Sequence, residues 1–267
     1  MINISNDRKR YLNKKLINKI VVTLTQLFIL FSFIATWEIL ANYKIIDSFI
    51  VSQPSRIVKT LINLLENDLL LHIFTTCFET LVGFVSGTIL GVLIATILWW
   101  SKFLSKVAKP FLIILNSLPK IALGPVIIIW VGAGMPAIIV MALAISIIVT
   151  ILEILNGFEN TDKDKIKMAK TFGANKFQIL TKIIFPSNIT TFINSLKINI
   201  GLSLVGVISG EFLVSKAGLG YLIVYGGQVF QLDLVMTSVI ILSIVAAILY
   251  QSVVLLEKVI NKTHKTF

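Results

Sequence analysis

Six charged residues lie inside otherwise apolar stretches of this chain: Glu38, Glu79, Lys120, Glu153, Lys197 and Glu211. A charge surrounded by hydrocarbon is costly unless paired or wetted, so each implies a partner or a task. Lys120 is the hardest to dismiss. Roughly ten residues, or ~15 Å of helix, separate it from either end of its stretch, too far for its stem to reach an interface. It either steers an anionic or polar solute through a passage or forms a structural pair with Glu79 or Glu211. Glu211 sits ahead of Gly218-Leu219-Gly220 and is expected to make a helix-end contact, whereas Glu38, Glu153 and Lys197 lie near stretch ends and reach the interface. Bond-making chemistry is absent from the pattern. There is no phosphate-binding G-x-x-x-x-G-K-[ST] loop, no Ser/His/Asp set and no carboxylate pair at useful spacing. His72 and His264 are the only histidines and lie far apart, so no metal site is expected; Cys77, the single cysteine, cannot form an intrachain disulfide.

The elements carrying these charges are membrane helices. Mean hydropathy is +0.92, 56% of residues are hydrophobic and 14% charged, which excludes an ordinary soluble enzyme. About 20 apolar residues are needed to cross a bilayer, and six stretches qualify: Ile20–Ala41, Ile73–Trp100, Val107–Val131, Pro136–Leu155, Phe192–Val214 and Asp233–Leu256. The first is too long for a signal peptide and is expected to be retained. The third is interrupted by Pro119, Gly124 and Pro125. Neither half crosses alone, so it reads as one broken crossing, the element best suited to line a pathway. Gly83, Gly87 and Gly91 form a small-residue row for close helix packing. Outside the spans, residues 54–65 read as an amphipathic helix, either lying along the outer interface or serving as a simple connector. The domain reading is a basic cytoplasmic tail over 1–19, a transmembrane domain over 20–258 and a short cytoplasmic tail over 259–267.

The net charge of +11 has a topological explanation. With both termini inside, cytoplasmic segments hold eighteen Lys and Arg residues and outer segments four, the positive-inside bias. The excess base therefore does not call for nucleic acid. The same bias places a polar, lysine-rich hairpin over 156–190 in the cytoplasm. One short helix is predicted from Asp162 to Phe172, stopped by Gly173, and a second from Ala174 to Phe185, ended by Pro186. Ile166, Met168, Phe172, Phe177 and Ile179 supply more apolar surface than a solvated loop needs. Some must pack on the membrane domain, and the rest suit helix-in-groove docking to a soluble partner.

This hairpin resembles the EAA loop of permease subunits of ATP-binding cassette importers. Lys167, Met168, Ala169, Gly173, Ile183, Phe185 and Pro186 fall at the motif's register, with Lys170 and Phe172 inside it. Gly173, Ile183 and Pro186 keep the family residues, while Lys167 and Met168 replace Glu-Ala and Phe185 replaces leucine. Leu118-Pro119-Lys120 through Gly124-Pro125, and Glu211 with Gly218-Leu219-Gly220, resemble the nitrate, sulfonate, taurine and thiamine-precursor branch. Glu79 with Gly83-Phe84 resembles a family stretch where arginine often replaces the glutamate. The resemblance spans about Leu71 to Lys258 and implies an all-α, roughly six-span bundle of the type I importer kind in the bacterial cytoplasmic membrane. It implies two ATPase subunits, which bind ATP and Mg²⁺ in this chain's stead, a second permease copy in a homodimer, and an extracytoplasmic solute-binding protein. The ATPase-coupling residues would be those of the hairpin, and the pathway residues Pro119, Lys120, Gly124, Pro125, Glu79 and Glu211. An ATP-independent secondary transporter, or a membrane subunit of a non-transport assembly, stays open on the residues alone; the first is disfavoured because no inverted repeat is visible.

Overall fold

The computed structural model describes residues 6–264, with side chains at Arg8, Tyr11 and 14–260. The parts of the expected tails at 1–5 and 265–267 lie outside the described residues. Every regular element among the described residues is helical. Helix α1 (Asn6–Asn42) leads into a short turn α2 (Ser48–Val51), then α3 (Pro54–Glu66) and the long α4 (Leu69–Trp100). The tail expected over 1–19 is helical from Asn6 onward, because its Lys, Asn, Leu and Arg residues extend a helix already nucleated by the apolar stretch. Ala41 of α1 is buried, and Glu38 accepts from the Ser55 backbone N–H at 3.0 Å; the apolar face between Lys14 and Asn42 is otherwise open.

The broken crossing is α5 (Lys102–Ser117), a tight turn over Lys120–Leu123 and α6 (Gly124–Val131), with its halves bent by 87°. Leu118 precedes Pro119 and takes the extended conformation that proline imposes on its predecessor, which ends α5 there. Helix α7 (Met135–Glu159) starts with a proline in its first turn, where the missing N–H costs nothing. It ends four residues later than its predicted span. After the hairpin come α11 (Ile189–Val214), α12 (Leu219–Gln228) and α13 (Leu232–His264). Thus 259–264, expected as tail, completes the last helix.

Helices α4, α7 and α11 form the centre of the bundle. The glycine row of α4 faces a row of small residues on α7: a methyl added at Gly83, Gly87 or Gly91 would lie 2.6, 2.5 and 2.6 Å from atoms of Ala142, Ser146 and Thr150. Gly206 of α11 meets Ala142 from the other side, 2.5 Å from its Cα by the same construction. Lipid supplies little hydrophobic drive between helices, so close backbone approach of this kind holds the bundle together. On the flank, α12 and α13 enclose an apolar cluster with Leu69, Ile200 and Leu222. Helix α3 turns Ile57, Leu61 and Leu64 toward α13 and α4, leaving Val58, Ile62 and Leu65 exposed on the adjoining face. Arg56 fixes it by donating to Asp233, at 2.9 Å from Nε, while Ser52 donates to the same carboxylate at 2.7 Å.

Candidate functional site

The hairpin is built so that one side is anchored and the other free. It opens with α8 (Lys163–Thr171), capped by Asp162, whose carboxylate accepts from the Asp164 N–H at 2.9 Å. Asp164 in the first turn and Lys170 in the last complement the helix dipole. The helix stops in a Schellman pattern: Gly173 N–H donates to Lys170 O at 2.9 Å and Ala174 N–H to Ala169 O at 3.0 Å. Gly173 has φ +78°, a conformation that penalises any Cβ. Asn175 and Gln178 then form a reciprocal capping box that starts α9 (Lys176–Ile179). The rod continues as one wide turn over Leu180–Ile184 into the short α10 (Phe185–Ser187). Pro186 does not end this helix as its position predicted. Its ring and missing N–H are absorbed by widening the preceding turn, and the backbone stays helical to Ser187.

Apolar contacts lock the rod to the bundle. Ile179, Leu180 and Ile184 are buried against Leu98, Ile151, Leu155 and Phe158. Phe158, Phe185 and Phe192 form a ring cluster with centroids 5.4 to 5.8 Å apart, and Trp99 meets Phe158 edge-on at 6.4 Å. Phe185, which departs from the motif's leucine, thus fills a place that uses its ring. The two legs are tied where Asn188 donates to Thr161 Oγ1 and Ile184 O, both at 2.8 Å. Gly157 permits this approach, since a methyl there would lie 2.7 Å from Asn188 Oδ1. Ile166 and Ala169 pack inward, and Ile183 is half-buried beside the better-covered Ile184. Left outside are Met168, Phe177 and Phe172, which are 59%, 63% and 82% exposed. Lys167 is also exposed and pairs with Asp164 at 3.1 Å. The hairpin therefore presents aromatic and thioether side chains, flanked by lysines, on a stiff support.

Of the charges expected to share a pathway, the two carboxylates lie together in the bundle and Lys120 stands apart from them. Glu79 and Glu211 are each 1% exposed, buried near one another inside the bundle rather than lining an open passage. Glu211 Oε1 accepts from Thr76 Oγ1 at 2.6 Å, and Oε2 from the Gly220 N–H at 2.5 Å in the first turn of α12. Thr76 Oγ1 accepts in turn from the Leu219 N–H at 2.8 Å, and His72 Nδ1 from the Gly218 N–H at 2.9 Å. The start of α12 is thus held by acceptors from α4 and α11, a favourable setting for a carboxylate. Gly218, with φ +112°, and Gly220 leave room for the Glu211 side chain; a methyl at Gly220 would stand 2.7 Å from Oε2. This explains the Glu…Gly-Leu-Gly spacing as the fastening of α12, a helix the sequence reading did not foresee.

Lys120 pairs with neither carboxylate. Its ammonium donates to Asn116 O at 3.1 Å and Oδ1 at 3.3 Å, closing the last turn of α5. Pro119 and Pro125 are exposed beside it, while Gly124 is buried against Leu213 and Met141. Lys197 does not lie free at an interface: it pairs with Glu257 of α13 at 2.7 Å. Across the break, α11 exposes Asn194, Ile198, Gly201, Val205 and Phe212, one stripe at helical spacing on the same central helix that carries Glu211. Among the described residues, no cluster of His, Cys, Asp or Glu could hold a metal ion.

Comparison with known proteins supplies an independent finding. Residues 87–265 match the family described as binding-protein-dependent transport system inner membrane component. A probable ABC transporter permease protein of Haemophilus influenzae is 29% identical over 81% of this chain and 88% of its own length. The formylaminopyrimidine transport permease ThiX of Halalkalibacterium halodurans is 26% identical over 69% of this chain and 74% of its own. The putative aliphatic sulfonates transport permease SsuC of Bacillus subtilis is 24% identical over 88% and 85%. Among solved structures, an inward-facing conformation of the MetNI methionine ABC transporter shares the fold, with a TM-score of 0.64 at 18% identity, covering 72% of this chain and 95% of that one.

Proposed function

We infer how this chain works from what it is: it belongs to the binding-protein-dependent transport inner membrane components, the multi-pass permease subunits of ATP-binding cassette importers. Within that role, we propose that the hairpin over 156–190 is the seat of a separate ATPase subunit. The observation that carries this is the division of its side chains: Ile179, Leu180 and Ile184 are spent on anchoring, while Phe172 and Met168 point away from the bundle on a doubly capped support. Exposed aromatic anchors held rigidly suit a hydrophobic groove in a partner.

The remaining assignments follow from this one. Two copies of the chain pair through the open faces of the bundle and stand on two ATPase copies, which hold ATP and Mg²⁺. Both termini and the hairpin face the cytoplasm, as the distribution of lysine and arginine supports. A binding protein delivers a small anionic or polar solute at the opposite face, where α3 and the start of α12 frame the entrance. The exposed stripe of α11 and the break around Pro119, Lys120 and Pro125 line the passage, with Glu79 and Glu211 behind them as support. ATP-driven closure of the ATPase pair moves the hairpins, and each bundle rocks between inward-open and outward-open states whose populations the nucleotide biases.

The decisive experiment reconstitutes the chain with its ATPase and binding protein in vesicles and compares it with Gly173→Pro. The variant destroys the Schellman turn and is expected to insert normally yet lose ATP-coupled uptake. Unimpaired uptake by that variant refutes the hairpin's role, and uptake driven by an ion gradient without ATP refutes the partnership itself.

A further inference from the structure

Between the start of α5 and the hairpin lies a cleft of about 850 Å³ whose electrostatic character is one-sided. Lys102, Lys106 and Lys109 reach it from α5 and Lys163, Lys167 and Lys170 from α8; Lys176 closes one end. Glu159 is the only carboxylate on its wall, and it is already engaged by Lys109 and by Ser105 Oγ at 2.7 Å. Among the described residues, Lys102, Lys106, Lys163 and Lys170 have no carboxylate within ion-pair distance. Lysines on a solvated face normally diverge. Here two separate elements point theirs into one concavity, and the mutual repulsion calls for an anion between them.

The surroundings identify the kind of anion. Lys176 lies 5.9 and 5.2 Å from the ring centroids of Trp99 and Trp100, and it donates to the Trp100 carbonyl. Paired tryptophans at the end of a 32-residue apolar helix mark the headgroup level of a bilayer. One residue round α5 from the lysine row runs a second row, Phe103, Val107, Phe111 and Ile114, all exposed. A ligand seated on the lysines therefore has an apolar track beside it, leading from the headgroup level along the helix toward the bilayer centre. A free phosphate or a nucleotide would leave that track unused.

We propose that this cleft binds the phosphate-bearing headgroup of an anionic phospholipid, whose acyl chains lie along the exposed row of α5. Basic pockets between helices at a membrane face are suited to such headgroups. The bound lipid joins α5 to α8 through its charge and so sets the resting position of the hairpin. The site does not require that an ATPase docks there, and binding is measurable on the permease alone.

The test is native mass spectrometry of the full-length chain in detergent, titrated with phosphatidylglycerol or with phosphatidylcholine. The double variant Lys102→Gln/Lys106→Gln is compared with Lys165→Gln/Lys182→Gln, which removes the same charge from exposed positions of the hairpin outside the cleft. Phosphatidylglycerol is expected to bind in preference to phosphatidylcholine, and the first variant to bind it about thirtyfold more weakly, with the second near the parent. Equal affinities for the two lipids, or equal losses in the two variants, overturn the assignment. So does displacement of the lipid by inorganic phosphate or ATP at comparable concentration, which would make the occupant a soluble phosphate.

Discussion

Removing the Phe172 ring tests the docking surface at its most exposed point. The side chain is 82% exposed, so the hairpin's own fold gains almost nothing from it. Burying a phenylalanine fully contributes about 1.5–3 kcal/mol, and the exposed share of that is about 1.2–2.5 kcal/mol. If Phe172 enters a groove of the ATPase, Phe172→Ala should therefore weaken the complex about eight- to sixtyfold. The assay is the equilibrium affinity of the purified ATPase for the permease in nanodiscs, paired with a thermal melt of the permease alone. Affinity should fall while the melting temperature stays within a degree or so, since an exposed ring carries little folding energy. An affinity within twofold of the parent refutes docking through Phe172. A lowered melting temperature refutes the premise that the ring is free in the unbound chain.

Four other outcomes follow from the geometry. Gly87→Leu places side-chain atoms where Ser146 Oγ stands and should destabilise the bundle by about 1–3 kcal/mol, read as a drop in melting temperature in detergent. Glu211→Ala leaves the Gly220 N–H and the Thr76 hydroxyl without their acceptor and should lower the melting temperature in detergent. Lys120→Ala should leave the fold intact, since its ammonium bonds only the Asn116 oxygens of its own turn, but reduce the uptake of an anionic solute; unchanged uptake removes the electrostatic role from the passage. Lys197→Met alone strands Glu257 half-buried and should cost more stability than Lys197→Met with Glu257→Met, a comparison a double-mutant cycle resolves.

What could be read from the sequence was local. Gly173 and Pro186 impose backbone geometry on their neighbours, so the hairpin's outline is visible in their spacing, although whether proline ends or widens a turn depends on the packing of Ile184 behind it. The glycine row of α4 is legible because its period matches a helix face. Its partners Ala142, Ser146 and Thr150 are not, because small residues on another helix carry no label of whom they meet. Charge pairing was misjudged for the same reason. Arg56 with Asp233 and Lys197 with Glu257 bridge elements far apart in the chain, and reasoning from distance to a span's end cannot see them. Helix α12 was missed because it is short, apolar and begins after Gly218 without a capping side chain of its own. Its cap is supplied from α11, nine residues upstream. That interval between Glu211 and the glycines was the signal.

Ala142 occupies a peculiar mechanical position. Its methyl meets Gly83 of α4 on one side and its backbone meets Gly206 of α11 on the other, and neither neighbour has a side chain that could yield. A contact of that kind leaves little slack, which favours movement of α4, α7 and α11 together. Compliance is available where the chain is unencumbered: Gly132 and Gly134, with φ +93° and +103° and no atom within 4 Å of a virtual Cβ, join α6 to α7. The gear ratio of the machine is thereby set in glycine. On the proposed reading, a displacement at the hairpin would pass through this block, and α6 would turn about that joint.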